Sequence, residues 1–168
     1  MCIRDRGYII VDLFKKMGRV CMGGTFDILH IGHKLLLTTA SDNGDEILLG
    51  LTTDSRAKKG RDSSILNSYK IRKKNLEIFL EELGFIDKFT IVPLSDDWGP
   101  SVVDEDFDAI IVSEETKSTA EKINNIRSKG GKKELLIVAV PMIKARDGKL
   151  ISSSRIRNSE IDSKGNLT

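Results

Sequence analysis

The sequence predicts an α/β fold: a single Rossmann-like, doubly wound domain around a five-stranded parallel sheet. Three observations lead there. Short apolar runs of strand length alternate with longer stretches whose apolar residues recur at helical spacing. Residues 46–51 form an almost unbroken apolar run, as in a strand covered on both faces. The first apolar run passes directly into a glycine-rich turn and a helix start that carries the chain's 2 histidines, where such a sheet expects its ligand.

Taken in order, residues 19–22 read as the first strand. The first helix starts near Leu29, places Ile31, Leu35, Leu36 and Ala40 on one face, and stops before Gly44, which suits a left-handed cap. Residues 46–51 are the second strand, and 55–61 a polar, basic loop. The second helix runs from about 68 to 83, with Ile71, Leu76, Phe79, Leu80 and Leu83 on one stripe and Gly84 at its end. Residues 89–94 form the third strand, 96–100 a turn-rich segment, and 109–113 the fourth strand. The third helix covers 115–129, with Ala120, Ile123 and Ile126 inward, and ends at Gly130-Gly131. Residues 135–140 are the fifth strand. The chain then turns at Asp147-Gly148 and enters a run of serines that suits a helix N-cap. The polar stretch from Asn158 onward reads as mobile. Strands joined through helices call for right-handed crossovers, which put a ligand beyond the strands' carboxyl ends. The domain therefore spans 17–162, with an extension of open status at 1–16 and a polar tail at 163–168.

Composition narrows the classes of function. The 168 residues suffice for one domain with a real core. Aromatics make up only 5%, which argues against a single-stranded nucleic-acid binder built on stacking platforms, and a net charge of +2 is too mild to imply a nucleic-acid partner. No apolar run approaches the ~20 residues that cross a bilayer. Asp12 interrupts the short apolar stretch near the start, and no small-residue cleavage site follows, which argues against a signal peptide. Cys2 and Cys21 are too far apart for a zinc pattern, and the cytosol is the expected compartment. Both a monomer and a homo-oligomer remain compatible with the sequence.

Two constellations carry chemistry. In Gly23-Gly24-Thr25-Phe26-Asp27-Ile28-Leu29-His30-Ile31-Gly32-His33, the glycines let a backbone approach a phosphate, Thr25 adds a hydroxyl, and His30 and His33 lie three apart at a helix start. A helix start presents free N–H groups and a partial positive charge, which suits an anion. Paired glycines often serve only to turn a chain, and a lone histidine is usually structural. Their combination in one turn is what points to a phosphate whose charge grows during reaction. The second constellation is Ser152, Ser153, Ser154 and Arg157, hydroxyls at a helix start with a cation one turn on, fit for a polyphosphate tail. Its bland alternative is an ordinary cap beside surface arginines. Arg56, Lys58, Lys59 and Arg61 form a basic run that could be solvated. Because it follows the second strand, it should overhang the same sheet edge, with Lys58 the best placed to meet an anionic substrate. Arg72, near the start of the second helix, is either a surface cation or a substrate contact.

Together the two constellations resemble the nucleotidyltransferases of the His-x-Gly-His class. Residues 151–157, Ile-Ser-Ser-Ser-Arg-Ile-Arg, are similar to that class's Ile-Ser-Ser-Thr-x-Ile-Arg, with Ser154 keeping the hydroxyl. Within the class the chain resembles the archaeal and eukaryotic type of phosphopantetheine adenylyltransferase. Four stretches narrow it: Gly50-Leu51-Thr52-Thr53-Asp54 leading to Lys58; Tyr69-Lys70-Ile71-Arg72; Asp97-Trp98-Gly99-Pro100; and Val112-Ser113-Glu114-Glu115-Thr116. Asn67-Ser68 departs from the Ile-Pro pair expected before the second of these.

The resemblance implies transfer of AMP from ATP to 4′-phosphopantetheine, giving dephospho-coenzyme A and pyrophosphate. Magnesium accompanies ATP, with no protein-only metal site. It implies that His33 and His30 serve the α- and β-phosphate oxygens and Thr25 the incoming phosphate, with Lys58 neutralising that phosphate. Ser152, Ser153, Ser154 and Arg157 take the β- and γ-phosphates, and Gly32 faces the nucleoside. Gly23, Gly24, Phe26, Arg72, Ser113, Glu115 and Thr116 complete the binding set. The alternatives are transfer of AMP to nicotinamide mononucleotide, transfer of CMP to an alcohol phosphate, and a nucleotide-binding regulator without catalysis. A fragment of a class I aminoacyl-tRNA synthetase also carries His-Ile-Gly-His, but no Lys-Met-Ser-Lys-Ser segment is present and no tRNA-binding domain fits this length.

Overall fold

Strand β1 (Met17–Gly24) is the middle of a single parallel sheet. It pairs with β2 (Gly44–Thr52) on one side and β4 (Ala109–Ser113) on the other. Outside them lie β3 (Phe89–Leu94) and β5 (Leu136–Val140), for an order β3-β2-β1-β4-β5. The structure, a computed structural model, describes residues 17–58, 66–96, 99–101 and 106–168. The extension at 1–16, Cys2, Lys59, Arg61, Asp97 and Trp98 lie outside the described residues. The helices are α1 (Ile31–Asn43), α2 (Asp54–Lys58), α3 (Tyr69–Leu83), α4 (Lys117–Lys129) and α5 (Ser153–Arg157). Among the described residues, no helix is long and apolar enough to cross a membrane.

Alternation along the strands sends side chains to two cores, as a doubly wound sheet requires. Val20, Met22, Ile47, Leu49, Leu51 and Ile111 pack against Leu37 and Ala40 of α1 and Leu76 and Leu80 of α3. Cys21, Ile110 and Val112 point the other way, onto Ala120 and Ile123 of α4. The sheet order reverses between β1 and β4. There the ladder is confined to Val20↔Ala109 and Cys21↔Ile110, whereas β1 and β2 pair from Met17↔Gly44 through to Gly24↔Leu51. The carboxyl ends of β1 and β4 thus part without bridging each other, and a crevice opens at the switch point.

Several expectations are corrected. Residues 55–58 of the predicted basic loop wind, together with Asp54, into α2. Gly44 is extended, with φ −122° and ψ 150°, and is not a left-handed cap. A Cβ there would meet Val20 Cγ2 at 2.8 Å, so the glycine is required by close strand contact. The left-handed cap appears at Gly84 instead, with φ 82°. On α1, Ala40 of the predicted stripe is fully buried, and so is Leu37, which lies outside that stripe. On α3, Ile71 is 48% exposed and the neighbouring Arg72 takes the buried place; on α4, Ile126 is 37% exposed while Asn124 and Arg127 are buried. Apolarity alone misassigns these faces, because both arginines satisfy backbone carbonyls at loops that the sheet cannot pair. The stretch from Asn158 is not loose: Ile161 is 1% exposed, in a third small core with Ala145 and Ile151.

Candidate active site

The crevice is a cavity of about 680 Å³, and it brings the two sequence constellations together. Gly23 to Asp27, His30, Gly32 and His33 line one side, and Ser152, Ser153, Ser154 and Arg157 the other. Two contacts join them directly. Ser153 Oγ donates to the Ile28 carbonyl at 2.9 Å, and the Ile28 N–H donates back to the same hydroxyl at 3.2 Å. Arg157 forms an ion pair with Asp27, which is 5% exposed. Asp27 also accepts the Asn67 N–H at 3.0 Å.

The start of α1 departs from a simple anion-binding helix terminus. His30 is the N-cap, in extended backbone, and its Nδ1 accepts the Gly32 N–H at 3.0 Å. A histidine whose Nδ1 accepts keeps its proton on Nε2 when neutral. The Ile31 N–H donates to the Ser163 carbonyl at 3.0 Å. Two of the first backbone donors are therefore already used, and imidazoles become the groups that face the cavity. A Cβ on Gly32 would stand 2.8 Å from His30 Cε1, so the glycine makes room for the capping ring.

The two imidazoles stack, centroids 3.9 Å apart and planes 25° apart, and Phe26 lies 4.9 Å from His33. Burial lowers the His30 pKa from 6.5 to about 4. Burial, and then the charge of His30, lowers that of His33 to about 3. Both rings are neutral near pH 7, and protonating one opposes protonating the other. His33 Nδ1 is buried without a hydrogen-bond partner among the described residues, a polar atom suited to a ligand. Phe26 has φ 47°, unusual for a bulky residue; its ring is 3% exposed and lies where a Cβ on Gly24 would clash at 2.8 Å.

Thr25 accepts a hydrogen bond from Thr52 Oγ1 at 3.1 Å at the cavity mouth. At the end of β4, Ser113 and Thr116 share a hydroxyl contact at 3.1 Å, with Glu115 beside them in the lining. Ser152 caps α5 by accepting the Arg155 N–H at 3.2 Å. Two predicted residues stand apart. Lys58 is exposed at the last position of α2 and does not line the cavity. Arg72 is 0% exposed and cannot touch a substrate in this conformation. It donates to the Asn67 carbonyl at 2.9 Å, the Thr25 carbonyl at 3.0 Å and Asp54 at 3.1 Å. Its task is to hold the backbone that bears Thr25.

Sequence reasoning did not assign Asp27, nor the apolar wall of Pro141, Met142 and Ile143 after β5. The wall was inferable from sheet order, since the loop after β5 leaves the sheet beside the end of β4. A second cavity of about 220 Å³ adjoins the first, sharing Gly23, Gly24, Val112 and Thr116 with it. Its floor is Cys21, Leu48, Ile110, Ala120 and Ile123.

Fold and site define a nucleotide-handling α/β domain. A doubly wound sheet opens at its switch point onto a cavity dressed with imidazoles, hydroxyls and an arginine. Residues 21–159 match the family described as cytidylyltransferase-like, and the chain belongs to that family. A phosphopantetheine adenylyltransferase of Methanopyrus kandleri is 43% identical over 148 residues, covering 86% of this chain and 90% of that one. One from Methanosarcina mazei is 43% identical over 154 residues, covering 90% and 97%. Among solved structures, a protein of unknown function from Archaeoglobus fulgidus superposes with a TM-score of 0.66 at 31% identity, covering 74% of this chain and 98% of that one.

Proposed function

We propose that this protein transfers AMP from ATP to 4′-phosphopantetheine, releasing pyrophosphate and forming dephospho-coenzyme A. One observation carries the reading: the imidazole pair and the serine-arginine set line one cavity, where a single triphosphate can touch both. The relatives with 43% identity and that activity in their names support the choice of acceptor.

The chain needs no covalent nucleophile. The acceptor phosphate attacks the α-phosphorus in line, and the protein supplies position and charge stabilisation. His33 and His30 donate to the α- and β-phosphate oxygens as charge builds. His30 does so through Nε2, because its Nδ1 is held by Gly32. Ser154, the start of α5 and Arg157 hold the departing pyrophosphate, while Ser153 braces the two walls. Thr25 seats the attacking phosphate. Lys58 serves as its counter-charge by extending from the end of α2. The wall of Pro141, Met142 and Ile143, with Ser113, Glu115 and Thr116, takes the nucleoside. The adjoining apolar cavity takes the pantetheine arm, since it meets the main cavity at Gly23 and Gly24, beside Thr25.

Magnesium would accompany ATP as part of the substrate and would offset the charge of its phosphates. The carboxylates lining the main cavity are Asp27 and Glu115, and Asp27 is committed to Arg157. Among the described residues, no group of three or more His, Cys, Asp or Glu side chains is placed to hold a metal ion. The reaction is assigned to the cytoplasm.

The deciding experiment mixes the protein with ATP, magnesium and 4′-phosphopantetheine and measures pyrophosphate. Release that requires phosphopantetheine supports the proposal. Release only with nicotinamide mononucleotide, or only with CTP and an alcohol phosphate, replaces it with another transfer of the same family. ATP binding without release under any pairing leaves a regulator.

A further inference from the structure

The segment 161–167 is polar in sequence, yet it is built into the wall behind the cavity. Ile161 is buried with Ala145 and Ile151, against Ile31, Ile143 and Ile156. Ile31 sits between His30 and Gly32, Ile151 precedes the serine cluster, and Ile156 precedes Arg157. The Ser163 carbonyl accepts the Ile31 N–H at 3.0 Å, and the Gly165 carbonyl accepts the Arg146 N–H at 3.0 Å. Asp162 shapes the turn: Oδ1 accepts from the N–H of Lys164 at 2.9 Å and of Asn166 at 2.8 Å, and Oδ2 from Asn166 Nδ2 at 3.1 Å. Gly165 has φ +83°, and a Cβ there would lie 3.1 Å from Ala145 Cα, so a side chain at this position is strained and presses on Ala145. None of residues 158–168 lines the main cavity.

We propose that the turn at 161–165 is a positioning element for phosphoryl transfer: Ser163 and Ile161 together set the place of the imidazole pair relative to the serine cluster. The proposal rests on the reading of the cavity as the transfer site. The two walls are far apart in sequence. Their direct links are the Ser153–Ile28 pair and the Asp27–Arg157 ion pair. The third core underlies both walls, and Ile161 is the buried residue that this turn contributes to it. The Ser163 carbonyl also takes the first backbone donor of α1, which pins the helix start and reserves the cavity face for imidazoles. A displacement of about 1 Å between such groups costs on the order of a hundredfold in turnover.

Gly165→Val tests this from a residue outside the cavity lining, where the added side chain presses on Ala145 and on the Ile151 side chain behind the wall, and Ile161→Val is a milder second variant should the first not fold. Each is checked by circular dichroism and thermal unfolding. The first readout is the imidazole nitrogen resonances of histidine-labelled protein through a pH titration. The chain has 2 histidines, so every signal comes from the site. The charged residues that line the cavity with them are Asp27, Glu115 and Arg157, which both variants retain. The second readout is kcat and KM for ATP. We expect folded variants whose imidazoles titrate closer to an ordinary 6.5, with kcat reduced about tenfold to a hundredfold and KM for ATP within about threefold of the parent. A folded variant with the parent's imidazole titration overturns the proposal, whatever its turnover. Shifted imidazoles with an unchanged kcat overturn it equally. A parent that releases no pyrophosphate sinks the proposed function instead, and the imidazole readout still decides whether the turn orders the site.

Discussion

At the residue scale the proposed reaction rests on two buried imidazoles that stay neutral near pH 7. A donor of this kind is worth most where charge develops in the transition state. His33→Ala should keep its fold and lose about 10²–10³ in turnover, roughly 3–4 kcal/mol. Near-normal pyrophosphate release by that variant would remove the histidine from the mechanism. The same burial links stability to pH. An unfolded imidazole takes a proton near 6.5, whereas His30 in the fold resists until about 4 and His33 until about 3. The unfolded chain then binds more protons, so the stabilisation is complete above 6.5 and is lost as pH falls toward the folded values. Thermal midpoints should drop as pH is lowered from 7 to 4, and His33→Asn should flatten that slope. A midpoint independent of pH in the parent would contradict the neutral, buried pair.

At the element scale, short helices are placed by side chains that join them to loops. α5 has 5 residues and could not persist alone. It is seated by Ser152 as its cap, by Ser153 against both backbone groups of Ile28, and by Arg157 on Asp27. Ser153→Ala leaves the Ile28 N–H and carbonyl without that partner. The expected cost is about 1–2 kcal/mol, seen as a lower urea midpoint at unchanged slope, together with a loss of turnover. Full stability and full activity in Ser153→Ala would show that the two walls are held elsewhere. α1 makes the complementary case. Its backbone donors at 31 and 32 are occupied, and in the proposed reaction its contribution to an anion comes chiefly through the side chains of His30 and His33.

At the scale of the whole molecule, the parting of β1 and β4 creates the crevice and buried polar groups keep it in shape. Arg72 joins three segments that the sheet leaves unpaired: the Thr25 turn, Asn67 before α3, and Asp54 at the start of α2. Arg72→Leu strands the carbonyls of Thr25 and Asn67 and should cost about 3 kcal/mol or more. Arg72→Lys keeps the charge, but its single ammonium cannot span those acceptors and should not restore stability. Chemical unfolding of the two variants checks this. A lysine variant as stable as the parent would reduce Arg72 to a simple counter-charge.

Much of this was legible in the residues themselves. The alternation of apolar runs sufficed for a parallel α/β sheet, because strand and helix periods differ and local hydrophobicity reports them. The Gly-Gly-Thr turn, the histidine pair and the serine run could be singled out as candidate phosphate-binding groups from their residue types and short spacings, and the fold brings them to one cavity. What tertiary structure alone decided were the pairings between distant segments. It turned Arg72 inward, left Lys58 outside, enlisted Asp27 and the wall after β5, and seated a polar-looking tail beneath the imidazoles. Those outcomes follow from which carbonyls the sheet leaves unsatisfied and which surfaces meet, and neither is a property of any single stretch of chain.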